Sequence, residues 1–241
     1  MAISTGERLT RGPAAGSDVP VLEPGDRLTR EEFERRYAAM PSLKKAELIE
    51  GVVYMPSPVR ARRHGNPHAK LVGWLVHYEA KTPGVEVADN ATARLDLDNE
   101  PQPDAMLYVA PEFGGHVRIS PDDYIEAAPE LVAEVASSSA SYDLNTKLHV
   151  YRRSGVREYI VWRTLDREID WFVLRAGRYE RLEADERGVV RSASFPGLWL
   201  DTAALLCGDL AGVLRVLDDG LATEQHAAYA VQLAQPKSNP G

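Results

Sequence analysis

ELVAEVASSSASYDLNTKLHVYRRSGVREYIVW (130–162) holds two strands and the helix between them. ELVAEV (130–135) is apolar at nearly every position, as expected of a central strand buried on both faces. SSSASYD supplies turn and cap residues for a helix from about Leu144 to Ser154, which Gly155 ends. REYIVW (157–162) is a second buried strand. Glu134 interrupts the first. A buried carboxylate is costly unless it is neutral, paired or metal-bound, so Glu134 is either satisfied by one arginine or functional. Alternation puts it on one strand face with Val132 and Glu130. Lys147 stands four residues after Asp143, so the two share a helix face. They read either as a surface ion pair or as a lysine turned back over the strand end that carries Glu134.

Upstream, Asp104 follows Pro103 at the head of DAMLYV (104–109), another apolar run. Aspartate is a poor strand former, which leaves a turn residue, a cap partner or a functional acid. Two carboxylates and an ammonium at one sheet edge can hold a divalent cation and activate a water.

Around this centre, Thr29 and Glu32 form a capping box and Leu28 with Phe33 a hydrophobic staple, starting a helix that runs to about Met40. AELIEGVVYM (46–55) turns at Glu50-Gly51 as a strand pair. HAKLVGWLVHYEA (68–80) places Leu71, Leu75 and Tyr78 on one helical face. GVEVADN and ATARLDLD read as an antiparallel pair. EIDWFVLRAGRYERLEA reads as a hairpin turning at Ala176-Gly177, and a short helix follows near Thr202–Cys207. The expected fold class is α/β, a mixed central sheet flanked by helices. The expected organisation is a flexible lead over 1–24, one domain over 25–218 with order from near Leu28, and a C-terminal tail over 219–241, loose from about Glu224.

The chain has 241 residues, 44% hydrophobic and 27% charged, which suits one sizeable soluble domain. It lacks an apolar run of membrane-spanning length and, at its start, the apolar core of a secretory signal, so no membrane partner and a cytoplasmic location are expected. The single cysteine, Cys207, rules out an internal disulfide and is read as a small core residue. The net charge of −8 argues against an extended nonspecific DNA footprint. A local basic strip can coexist with it, and VRARRHGNPHAK (59–70) is the candidate. Gly-rich phosphate loops, GxSxG and HExxH are absent. His64, His77, His116 and His149 do not fall at metal-ligand spacing, the serines of 137–141 read as turn and cap residues, and Asp96, Asp98 and Glu100 as solvated loop charge.

AELIEGVVYMPSP, HAKLVGWLV, PDAMLYV and the long opening stretch together resemble the Uma-two family, assigned as restriction endonucleases within the PD-(D/E)XK nuclease superfamily. The resemblance spans about Ala46 to Trp162. It implies a restriction-endonuclease-like fold, Mg²⁺ or Mn²⁺ held by Asp104, Glu134 and the carbonyl of Val135, and Lys147 as the active-site lysine. It also implies that Glu47 is the early acidic residue and that His68 is an accessory residue near the site. DNA is the implied partner, and cutting both strands of a duplex would favour a homodimer. Two departures stand out. The residue two after Glu134 is Ala136 rather than lysine, so the amine must come from the helix as Lys147. Ala46 stands where relatives commonly carry an aromatic. The alternative expectation is a nuclease-like module that binds nucleic acid or protein without catalysis.

Overall fold

The computed structural model describes residues 19–56 and 58–235. In chain order these form α1 (Arg30–Ala38), β1 (Glu47–Ile49), β2 (Val52–Tyr54), a π-helical turn (Ala61–Gly65) that runs into α2 (Asn66–Glu79), β3 (Val85–Asp89), β4 (Ala93–Arg94) and β5 (Ala105–Val109). Then come β6 (Arg118–Ile119), β7 (Ile125–Glu126), β8 (Leu131–Ala136), α3 (Ala140–Tyr142), a second π-helical turn (Asp143–Lys147) and α4 (Leu148–Ser154). The remainder is β9 (Glu158–Arg163), β10 (Glu168–Arg175), β11 (Arg178–Arg181), β12 (Val189–Arg191), β13 (Trp199–Asp201), α5 (Thr202–Cys207), α6 (Leu210–Leu221) and α7 (Glu224–Leu233).

The central sheet has the strand order β11-β10-β9-β8-β5-β3. Only β8 and β9 are parallel; every other neighbouring pair is antiparallel. The parallel pair needs a crossover, and the unbroken helical run from α3 to α4 provides it. Strand alternation divides the core between two faces. Leu131, Ala133 and Val135 pack with Leu71, Trp74, Leu75 and Tyr78 of α2 and with Leu205, Val213 and Leu217 of α5 and α6. Val132 and Ala136 pack on the opposite face with Tyr151, Val156 and Tyr159. Glu134 belongs to that second face, under α4.

Local sequence accounts for several boundaries. The Thr29 hydroxyl accepts the Glu32 N–H, and Phe33 is buried with Leu28 packed beside it. The β1–β2 turn sits at Glu50 and Gly51, both at positive φ, and the β10–β11 turn at Ala176 and Gly177 likewise. Gly155 ends α4 in the left-handed region.

Five expectations are corrected. β3 does not pair with the segment after it but with β5, while the two-residue β4 pairs in parallel with β7; β3 carries enough apolar residues to join the main sheet, and the Asp-rich stretch does not. Glu100 is buried rather than solvated, because its backbone bridges Leu48 of β1. Cys207 is exposed, since α5 buries only Leu205. Order extends N-terminal of Leu28, with Leu22 buried against Phe33 and Leu48; residues 1–18 of the expected lead lie outside the described residues. The tail is helical: α6 runs through the 218/219 boundary, and Thr223 caps α7, which buries His226 and Leu233. Residues 236–241 lie outside the described residues. Among the described residues, no helix is long and apolar enough to cross a membrane.

Candidate active site

The antiparallel register of β5 on β8 pairs Ala105 with Ala133. Asp104 precedes that pair on one strand and Glu134 follows it on the other, so the two acids stand beside each other past the end of the ladder, close enough for Asp104 to raise the Glu134 carboxyl. Both acids are buried there. Asp104 Oδ2 accepts the Val135 N–H at 2.7 Å, so the side chain itself extends the ladder past the end of β5.

Lys147 completes the cluster. Its ammonium donates to Glu134 Oε1 at 2.8 Å and to Glu47 Oε1 at 2.9 Å. Glu47 is 5%, Glu134 4% and Lys147 4% exposed, so this is an interior pairing and not a surface bridge. The π-helical turn brings Lys147 there: its extra residue widens one turn and points both Asp143 and Lys147 into the core. The migrated amine therefore lies over the strand end, and a surface pair between Asp143 and Lys147 is excluded.

The electrostatics follow from burial. Glu134 is pushed up to about 8, first by desolvation and then by the neighbouring acids, with Lys147 opposing. Lys147 holds its proton more tightly than usual, because Glu134, Glu47 and Asp143 outweigh the desolvation that would release it. Both groups thus favour their protonated forms. Asp104 behaves oppositely. Burial raises its carboxyl, but His64, Lys45 and the Val135 N–H together bring it below the ordinary value.

Three neighbours escaped the sequence reading. His64 reaches the Val135 carbonyl through Nδ1 at 2.9 Å and Asp104 Oδ1 through Nε2 at 3.4 Å. Lys45 Nζ lies 3.8 Å from Asp104 Oδ1. The Tyr151 hydroxyl donates to Glu134 Oε1 at 2.9 Å. Each had a positional signal: His64 is four before His68, Lys45 two before Glu47, and Tyr151 four after Lys147. His68 stands at the rim, with Nε2 at 2.9 Å from both the Asp104 carbonyl and Asp89 Oδ1.

The donor chemistry suits a hard divalent cation: two carboxylates and the Val135 carbonyl are all oxygen ligands. Among the described residues, no group of three or more His, Cys, Asp or Glu is arranged to hold a metal ion. Magnesium commonly takes one or two carboxylates and completes its shell with water and substrate oxygens, so Asp104 and Glu134 meet that requirement.

A six-stranded mixed sheet flanked by helices defines an α/β protein of the restriction-endonuclease-like class. The chain belongs to the family described as "Uma2: Putative restriction endonuclease", whose model matches residues 30–203. Membership supports a nuclease role and with it nucleic-acid binding. Among solved structures, the chain is similar to a crystal structure described as "a putative nuclease belonging to DUF820" from Anabaena variabilis ATCC 29413. The two are 13% identical with a TM-score of 0.52, over 80% of this chain and 99% of the other, a likeness of fold. No curated protein matches the chain significantly.

Proposed function

We propose that the protein is a PD-(D/E)XK-type endonuclease that hydrolyses phosphodiester bonds of DNA in the cytoplasm with Mg²⁺ or Mn²⁺. The observation that carries this is the neighbouring buried acids Asp104 and Glu134 with a buried ammonium 2.8 Å from Glu134. Asp104, Glu134 and the Val135 carbonyl would hold the ion. When bound, it supplies Lewis-acid stabilisation of phosphoryl oxygens and makes water acidic enough to attack at neutral pH.

The chain's own groups do the rest. Lys147 orients the attacking water and offsets negative charge as it builds on the phosphate. Glu47 fixes the lysine at 2.9 Å. Tyr151 fixes the Glu134 carboxyl through its hydroxyl. His68 steadies the backbone of Asp104 from the rim. Cleavage of both strands would call for a two-fold pair of chains.

A test is cleavage of supercoiled and linear DNA with Mg²⁺ or Mn²⁺, with single-stranded DNA, RNA and a small diester alongside. Wild type should cut DNA, and Asp104→Asn, Glu134→Gln and Lys147→Met should each lose the activity. Cleavage that persists in both acid variants would remove Asp104 and Glu134 from the chemistry.

One observation favours a second reading. The Val135 carbonyl, both carboxylates and Lys147 already have protein partners. A site satisfied in this way suits a nuclease-like module that binds nucleic acid or protein without cutting. It predicts binding that needs no metal and survives Glu134→Gln, with no cleavage by wild type.

A further inference from the structure

We propose that the groove between the first π-helical turn, the start of α2, the β9–β10 turn and α5 is a track for the phosphate backbone of nucleic acid leading to the acid pair. The proposal rests on the nuclease reading above and adds the surface that presents the substrate. The groove encloses about 410 Å³. Its walls carry three cations, Arg62, Lys70 and Arg167, and no acid. That is unexpected on a chain with 36 acidic and 28 basic residues.

Some arginines elsewhere are neutralised: Arg94 by Glu34 and Asp122, Arg163 by Asp166, Glu168 and Asp170, and Arg191 by Asp185. Among the described residues, Arg62, Lys70 and Arg167 form no ion pair, and Lys70 reaches only the Gly208 carbonyl, at 3.4 Å. Arg60 and Arg63, beside the groove on the same turn, are exposed as well. Charges left free on a rigid surface are available to an external anion.

The groove is fastened to the candidate active site. The Thr164 hydroxyl donates to the Arg63 carbonyl at 2.8 Å and also lies within 3.3 Å of the Ala136 carbonyl, two residues past Glu134. His64, next on that turn, contacts the Val135 carbonyl and Asp104. One short segment thus lines the groove with Arg62 and meets the acid pair with His64. A run of cations leaving a hydrolytic centre fits a repeating phosphate chain, because each neutralised phosphate releases a counterion and adds to affinity.

The test is metal-free binding of a short labelled DNA duplex, read by fluorescence anisotropy over a range of NaCl concentrations with EDTA present. The triple variant Arg62→Gln/Lys70→Gln/Arg167→Gln should weaken binding at least about tenfold at low salt. It should also reduce the slope of log K against log salt by about 2–3, near 0.9 per lost phosphate contact. A control variant, Arg118→Gln/Arg178→Gln, exposed and away from the groove, should keep the wild-type slope. The triple variant should keep the wild-type melting temperature, because none of its three side chains makes an ion pair. Equal slopes in triple variant and wild type, or no duplex bound by wild type at low salt, overturns the proposal. A wild type that binds DNA with an unchanged triple variant leaves the nuclease reading intact. A wild type that binds through the groove but cuts nothing with metal overturns that reading and keeps the groove.

Discussion

Taking the ammonium away from Lys147 leaves Glu47 and Glu134 buried without a cation between them. Breaking a buried pair by deleting one partner typically costs about 3–5 kcal/mol. Lys147→Met, which keeps most of the volume, should therefore lose about that much in urea unfolding. Adding Glu47→Gln should restore part of it, because one stranded charge is then gone. A loss below about 1 kcal/mol would mean that the carboxylates find water or another donor. Glu100 gives a pH prediction of opposite flavour. It is buried, one of its oxygens has no hydrogen-bond partner, and its carboxyl is pushed up to about 8, first by desolvation and then by Glu34. A carboxyl with a raised folded value binds its proton more tightly when folded than when unfolded. Its contribution is therefore complete below about 4.5 and is lost as pH rises towards 8. Wild type should lose stability across that window, and Glu100→Gln should flatten the dependence; parallel curves for the two proteins would clear Glu100. At this scale Asp104 and Glu134 stand out in the sequence because each is an acid that heads or interrupts an apolar strand, whereas Lys147 on its own pattern reads equally as a surface ion pair and is singled out only by the resemblance. Glu100 does not stand out, because nothing in its own stretch says that Leu48 of a distant hairpin will cover it.

The two π-helical turns, Ala61–Gly65 and Asp143–Lys147, carry His64 to the Val135 carbonyl and Lys147 to Glu134, neighbouring residues of β8. Each inserts one residue beyond the α-helical repeat, and residues beyond the insertion are rotated by about 100° against a regular helix. Deleting Asn145, which is exposed, removes the extra residue from the second turn. The helix should survive by circular dichroism, while Lys147 turns off Glu134 and cleavage is lost. Retained cleavage would show that the lysine does not need this geometry. Gly155 offers a contrast. It sits at φ +89° with open space where a side chain would project, so Gly155→Ala should cost about 1 kcal/mol from backbone strain alone and leave cleavage unchanged. Periodicity and caps disclosed most elements: the Thr29 cap, the Glu50-Gly51 and Ala176-Gly177 turns, and the helix Thr202–Cys207. They could not disclose that β3 skips its neighbour to pair with β5, a choice made by the whole sheet. Nor did they mark α7, whose polar, alanine-rich sequence has little apolar patterning and whose helix is fixed by Thr223 and by burial of His226 and Leu233.

Across the whole molecule, an acidic chain gathers the groups of the candidate site around the end of the internal strand β8. The acids of the candidate site come from β1, from the residue before β5 and from β8, the amine from the crossover helix, and the free cations from the turn before α2, from α2 and from the β9–β10 turn. That convergence is set by strand order, which no single segment encodes; only the joint occurrence of several motifs in their chain order pointed to it. The net charge of −8 then has a physical consequence. Repulsion from the bulk of the surface should confine DNA binding to the basic groove, where counterion release at the cations makes it salt-dependent. A divalent ion bound to folded protein alone also raises stability, by about 2.7 kcal/mol at a concentration one hundred times its dissociation constant. The central claim, that Asp104 and Glu134 form a hard-cation site, is tested most directly by calorimetric titration of Mn²⁺ into wild type and Asp104→Asn. Wild type should show a saturable site that Asp104→Asn loses while still folded; matching isotherms for the two proteins, or no saturable binding in wild type, would contradict it.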